Sequence, residues 1–386
     1  MTVSFNSFIR TLAVNSSLLR ANTLPSHPTL VLGNESADLD SMVSSLALAY
    51  ALSQTLSPVI PVINARREDL ALRPDCAQLL KDELPALTFI DDIDLKGLAQ
   101  RPLDVWLVDH NAPASRQAFL EPLVRGIVDH HADEGKCPEA LRQIETVASC
   151  TTLVAQRLKG LVDPTLAKLL LAPILLDSSN LSAAACRATP ADVACVEWLS
   201  SLVQWTQTEA TSLDVTTSLD VRGPDELYAA LDKLKGQVSH LSAYDLLRKD
   251  YKQWQVSDAK GRPWALGISS VGFPLKKWVK RDGLPLIETA LKKWVESQHL
   301  DVALVMTHGK AKVDGVKVYG RQLMVAFAPQ VAEKERVVEM LTQLDVLGLE
   351  PLESMGGVWA FVQSRAESSR KQVFPAVKGV IECIDF

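Results

Sequence analysis

Asp129-His130-His131 follows directly on the apolar run Gly126-Ile127-Val128. A carboxylate and two adjacent imidazoles suit Mn²⁺, Co²⁺ or Mg²⁺ better than a thiolate set would. Such a triplet also fits a surface loop, so its meaning depends on what accompanies it. Two further apolar runs end the same way. Thr29-Leu30-Val31-Leu32 leads into Gly33-Asn34-Glu35-Ser36-Ala37-Asp38-Leu39-Asp40-Ser41, and Val105-Trp106-Leu107-Val108 leads into Asp109-His110-Asn111. Random surface acids have no reason to sit one step after each run. At the ends of parallel strands these groups would meet along one sheet edge, where open α/β sheets bind ligands. A fourth run, Pro173-Ile174-Leu175-Leu176, delivers Asp177; Pro173 interrupts a helical and a strand pattern alike, so its conformation is open.

The elements that must position these groups follow a β-α-β rhythm. Strands are expected at 29–32, 59–63, 87–90, 105–108 and 126–128, with helices over 42–52, 74–80, 151–159 and 164–171. Thr189 caps a further helix with Pro190 at its first position. Asp38 and Asp40, two apart, can each reach a different metal; Asp40 or Ser41 serves equally well as a helix cap. The fold class is α/β: a parallel-sheet domain over residues 1–205 with helices on both faces, a helical connection over 206–242, and a smaller α/β domain over 243–386. The second domain shows strands at 264–268, 302–306 and 323–327 and helices near 286–297 and 333–343. The active site is expected in the cleft between the domains.

The second half also carries paired cations. Lys292-Lys293 in mid-helix reads as a solvated face, whereas Lys276-Lys277 and Lys280-Arg281 are candidates to line the path of a long anion. Arg370-Lys371 lies in Ser368-Ser369-Arg370-Lys371-Gln372-Val373-Phe374-Pro375, read as a polar turn entering a strand. There a guanidinium and an ammonium can hold phosphate oxygens.

The 386 residues, 47% hydrophobic and 22% charged, suffice for two domains with real cores. Forty Lys and Arg against 46 Asp and Glu leave a net charge of −6, so a polyanion would need a local basic patch. No aromatic-plus-basic stripe suits base stacking, and nucleic acid is not expected as a partner. Six cysteines without a CxxC spacing point to a reducing, cytoplasmic setting. No apolar run approaches the roughly 18 residues of a membrane span. The first 34 residues hold Arg10 and Arg20 and no acid, a faint likeness to a mitochondrial transit peptide; a surface helix over 5–19 is the favoured reading. A monomer is expected.

In order, GNESADLDS, VDHNAP, VDHH and LLDSS, with a late Ser-Arg-Lys-Gln segment, resemble the DHH phosphoesterase superfamily. The branch in question holds manganese-dependent inorganic pyrophosphatases, prune-type proteins and fungal exopolyphosphatases. The resemblance implies a DHH domain, a DHHA2-like phosphate-binding domain and two divalent ions, Mn²⁺ or Mg²⁺, with Co²⁺ as a further candidate. It implies that Asp109 bridges the ions, that Asp38 completes one side, and that Asp40, His130 and Asp177 hold the other. His131 would face substrate phosphate, with Asp129 orienting a neighbouring imidazole. Lys252, Arg370 and Lys371 would clamp the phosphates, with His308 a further candidate. Where the pyrophosphatases of this branch have Gly-His, this chain has Gly33-Asn34, as in the fungal exopolyphosphatase version of the motif. Asn34 would offer a carbonyl oxygen to metal or substrate. The implied activity is removal of terminal orthophosphate from linear polyphosphate. The alternatives are a pyrophosphatase or prune-like activity on short chains, and a non-catalytic phosphate-binding protein.

Overall fold

The computed structural model describes residues 2–24, 27–206, 219, 221–313, 316–352 and 358–385. It forms two compact units, Met1–Gln237 and Val238–Phe386. Among the described residues no helix is long and apolar enough to cross a membrane.

The first unit is built on six parallel strands: β1 (Thr29–Leu32), β2 (Val59–Ile63), β3 (Thr88–Phe89), β4 (Asp104–Val108), β5 (Val124–Asp129) and β6 (Leu141–Ile144). Their order is β3-β2-β1-β4-β5-β6. Every residue of β1 and β2 is buried, as strands covered on both faces require. The chain moves outward from β1 through β2 to β3, then returns to lay β4 on the other side of β1. Right-handed crossovers running in opposite directions place helices on both faces of the sheet. The run expected at 87–90 pairs only through Thr88 and Phe89, a short edge strand.

The helix expected near the amino terminus is α1 (Phe5–Arg20), capped by Ser4, with Phe5, Phe8, Leu12 and Leu19 buried at helical spacing. Its Phe5 ring meets Tyr50 edge-on at 5.4 Å. Tyr50 belongs to α2 (Leu39–Leu52), which is followed by α3 (Pro74–Leu79), α4 (Leu95–Leu98), α5 (Cys150–Arg157), α6 (Pro164–Asp177), α7 (Pro190–Leu202) and α8 (Pro224–Lys235). The run whose conformation was open is helical: α6 continues through Pro173 to Asp177. An internal proline costs a helix about 3 kcal/mol; near-complete burial from Leu169 to Leu176 offsets it. Thr189 and Asp192 close the expected cap of α7 as a capping box. The sequence reading placed α8 in a connection, but Leu227, Leu231 and Leu234 pack into the first core.

The second unit contains α9 (Ala243–Lys249), β7 (Tyr251–Ser257), β8 (Pro263–Val271), α10 (Leu275–Asp282), α11 (Leu284–Ser297), β9 (Val302–Val313), β10 (Val316–Phe327), α12 (Lys334–Thr342), β11 (Leu349–Pro351), β12 (Trp359–Gln363) and α13 (Arg370–Glu382). The sheet order is β11-β12-β10-β9-β8-β7. Among the described residues only β8 and β9 run parallel. Arg370-Lys371 does not enter a strand; it opens α13. Ser369 and Gln372 form a capping box, and Val373, Val377, Val380 and Ile381 bury one helical face.

Candidate metal centre

The strand order reverses between the paired strands β1 and β4, and the connections leaving their carboxyl ends run in opposite directions, which opens a crevice at the switch point. β4 delivers Asp109 there with φ +64°, a conformation Asp adopts more readily than most residues. Its N–H donates to the Val128 carbonyl at 2.9 Å, tying the turn to β5. The Asp109 carboxylate is almost fully buried. Oδ2 accepts from the Asn34 amide at 2.6 Å. Oδ1 has no hydrogen-bond partner among the described residues, and His130 Nε2 and His131 Nδ1 face it at 3.3 and 3.7 Å.

The two imidazoles are held differently. His130 Nδ1 lies 3.0 Å from the Val147 carbonyl, which accepts only if that nitrogen carries the proton. Nε2 then turns a lone pair toward Asp109 and, at 3.8 Å, toward Asp40 Oδ2. His131 Nδ1 instead lies 2.8 Å from Asp129 Oδ1, which leaves Nε2 as its outward nitrogen. One ligand atom each from Asp109, His130 and His131 fall within 4.8 Å of one another. A lone pair and several carboxylates converging in a buried space repel one another, and a divalent cation relieves that repulsion.

The remaining acids differ in exposure. Asp40 is buried against the start of α5: Oδ1 accepts from Ser149 Oγ at 2.6 Å and from Thr151 N and Oγ1 at 2.8 and 2.6 Å, and Oδ2 accepts from Cys150 N at 2.7 Å. Asp38 is exposed and caps α2 through Ser41 N at 3.1 Å. Burial, then the charge of Asp40, raises the Asp109 carboxyl well above the usual range. The same two causes push half-buried Asp177 up to about 8. Burial also opposes ionisation of Asp129, yet the bonds from His131 and Asn111 pull its carboxyl far below the usual value. Asp129 is therefore a permanent charge behind His131. Asp38, Asp40 and His130 each bear electrostatically on both Asp109 and Asp177, while the residues whose ligand atoms fall within 4.8 Å of one another are Asp109, His130 and His131.

Residues 28–174 match the N-terminal domain of the DHH family, and residues 229–380 match the DHHA2 domain. "Exopolyphosphatase PRUNE1" of Rattus norvegicus is 33% identical over 369 residues, covering 90% of this chain and 74% of its own. The chain belongs to the DHH phosphoesterase family. "Putative exopolyphosphatase" of Schizosaccharomyces pombe is 32% identical over 391 residues, covering 94% of each chain. A solved exopolyphosphatase-related protein from Bacteroides fragilis is 12% identical with a TM-score of 0.42, covering 97% of this chain and 96% of its own; the family assignment does not rest on it. DHH phosphoesterases are metal-dependent, and the donors around Asp109 fit a divalent ion.

In the DHHA2 unit, Lys252 lies on β7, His308 on β9, and Arg370 and Lys371 in the first turn of α13. Arg370 Nη2 lies 2.7 Å from Asp250 Oδ1, which sets its guanidinium beside the start of β7. Lys371 is exposed. Asn34 departs from its expected role: its carbonyl oxygen accepts from Ser36 N at 2.9 Å and Ala37 N at 3.1 Å, so the group turned toward the site is the amide. Sequence reasoning gave no role to Asn111, which donates to Asp129 Oδ2 at 2.5 Å and accepts from Glu134 N at 2.8 Å. It also gave no site role to Ser149, Cys150 and Thr151, the last read only as the first residue of a helix. The one signal was Asn111's place beside His110 in the second acidic motif.

Proposed function

We propose that this chain removes terminal orthophosphate from linear inorganic polyphosphate, with two divalent ions, Mn²⁺ or Mg²⁺ or alternatively Co²⁺, as cofactors. What carries the reading is the buried Oδ1 of Asp109 facing His130 and His131, in a chain whose S. pombe relative is named for exopolyphosphatase activity over 94% of both lengths. When bound, such ions neutralise phosphoryl charge and acidify a water. Asp109, Asp38, Asp40, His130 and Asp177 are the residues that would hold them, and the ions would supply Lewis acidity there. Asn34 holds Asp109 by its free oxygen's neighbour, Oδ2, and so sets the direction of Oδ1. His131, gripped at Nδ1 by Asp129, turns Nε2 outward, where as an imidazolium, the form the Asp129 charge stabilises, it would donate to a phosphate oxygen. Lys252, Arg370, Lys371 and His308 hold phosphates of the chain through charge-assisted hydrogen bonds.

The test is phosphate release by the purified protein with Mg²⁺ or Mn²⁺, from long-chain polyphosphate and pyrophosphate in parallel, with product lengths resolved on a gel. Orthophosphate from long chains, with little from pyrophosphate, is the expected result. Internal scission alone, or no release with either ion, overturns the reading. Preference for pyrophosphate assigns the same site to short substrates.

A further inference from the structure

The β9–β10 hairpin of the DHHA2 unit has two unlike faces. Antiparallel register sets His308 opposite Arg321, Lys310 opposite Tyr319 and position 312 opposite Lys317. Directly paired residues share a face, and so do residues two apart along one strand. One face therefore carries His308, Arg321, Lys310, Tyr319 and Lys317. The other carries Gly309, Gly320, Ala311 and Val318.

Contacts bear the division out. His308 and Tyr319 ring centroids lie 6.3 Å apart, and the Arg321 guanidinium sits 5.6 Å from the Tyr319 ring. On the opposite face a Cβ at Gly309 would come within 2.9 Å of Pro274 Cδ, so the hairpin base is packed there. Lys310, Lys317 and Tyr319 are exposed. Between His308 and Arg321 the chain has four cations, counting Arg321, and one carboxylate, Asp314, in a protein of net charge −6. Arg321 is buried and donates Nε to the Ala366 carbonyl at 2.7 Å, so the exposed cations on which the proposal stands are Lys310 and Lys317. Lys310 and Lys317 are diagonal neighbours on adjacent strands of this face.

We propose that this face binds the distal length of a linear polyphosphate chain and sets the preference for long substrates. The inference rests on the activity proposed above and adds a second contact region to it. Arg281, read together with Lys276, Lys277 and Lys280 as a candidate for the path of a long anion, forks onto Asp282 with both contacts at 2.6 Å. A linear polyanion bearing a charge on every unit gains from each cation along the strand, and the gain fades with salt. With Tyr319 and His308 the aromatic rings on the face among the described residues, a run of stacked bases is disfavoured.

The test compares wild type, Lys310→Glu/Lys317→Glu and Lys310→Gln/Lys317→Gln on long-chain polyphosphate and tripolyphosphate. Metal-free binding of labelled long-chain polyphosphate is measured beside turnover. The charge reversal should raise KM for long chains about tenfold and weaken binding equally, with the glutamine pair intermediate. Turnover of tripolyphosphate should stay within a factor of about two, which also shows that the variants fold. Unchanged long-chain KM and binding, or an equal loss on tripolyphosphate, overturns the proposal. So does single-stranded DNA displacing the labelled chain at equal charge concentration. If wild type binds long chains through these lysines without cutting them, the hairpin assignment stands and the activity proposed above falls.

Discussion

The side-chain amide of Asn34 donates to Oδ2 of Asp109 at 2.6 Å and to the Asp109 carbonyl at 3.1 Å. Its orientation is fixed from behind. The N–H groups of Ser36 and Ala37 both point at the Asn34 oxygen, and a flipped amide would set N–H against N–H. Asn34 thus joins the loop after β1 to the end of β4 across the switch point, and it occupies one carboxylate oxygen so that the other stays open.

Asn34→Ala should therefore weaken the metal site without emptying it. Partners one step behind a ligand typically govern about 10–100-fold in metal affinity. Isothermal titration with Mn²⁺ should show a Kd raised by about tenfold or more. An unchanged Kd would mean that Asp109 keeps its orientation without the amide.

Asp129 and Asn111 make a second support, for His131. Asp129 spends Oδ1 on His131 Nδ1 and on the His130 N–H, both at 2.8 Å, and Oδ2 on Asn111. Asp129→Asn removes the charge that fixes the ring, so kcat should fall about tenfold or more. Mn²⁺ affinity should move far less, because Asp129 faces a ring rather than the open oxygen. Parallel measurement of kcat and metal Kd separates the two; a loss confined to metal binding would place His131 among the ligands.

What the chain reveals before folding is uneven, and the reasons are physical. β1, β4 and β5 are legible because strands buried on both faces must be apolar throughout, and the acid after each run stands out against that background. β7 is not legible, since Lys252, Gln253 and Gln255 break any apolar pattern on that edge strand. Arg370-Lys371 misleads because Val373-Phe374-Pro375 looks locally like a strand closed by proline. The burial of Val373, Val377 and Val380, four and three apart, decides for a helix. The supports of the site are least legible. Asp40 meets Ser149 and Thr151 across 109 and 111 residues of chain, and nothing in a Ser-Cys-Thr run announces a distant carboxylate.

The acid cluster also gives the metal-free protein a pH signature. Burial and the Asp40 charge raise the Asp177 carboxyl from 3.8 to about 8. Between those values the folded state holds a proton that the unfolded chain has released, so stability from this group is full below 3.8 and is lost as pH climbs through about 8. A bound cation displaces that proton, and metal affinity should rise across the same window. In chelator, Tm should fall less steeply with pH in Asp177→Asn than in wild type; parallel slopes would clear Asp177 as the source.

Gly126 supports the site from within β5. It pairs with Trp106 of β4, and a Cβ at Gly126 would lie 2.4 Å from the indole atoms Cε3 and Cζ3. No flexible chain end is available to yield. Gly126→Ala should cost about 1–3 kcal/mol by overpacking. For a unit of this size that lowers Tm by roughly 2–4 °C per kcal/mol. A variant as stable as wild type would show that the indole shifts freely.

Asp38 and Asp40, two residues apart in one motif, should separate cleanly when each is changed to asparagine. Asp38 is exposed and accepts only Ser41 N as the cap of α2, a role asparagine fills equally well. Asp38→Asn should keep Tm and lose metal affinity. Asp40 accepts donors at both oxygens, from Ser149, Thr151 and Ser44 at Oδ1 and from Cys150 at Oδ2. Whichever way an amide turns there, its NH₂ meets an N–H or O–H donor, and a buried donor left unpaired costs about 1–3 kcal/mol. Asp40→Asn should therefore lower both Tm and Mn²⁺ affinity. Thermal melts in chelator report the stability part alone, and Mn²⁺ titration reports the other. Equal melts for the two variants would mean that the Asp40 cradle at the start of α5 relaxes around an amide, and that its donors serve the charge of the site rather than the fold.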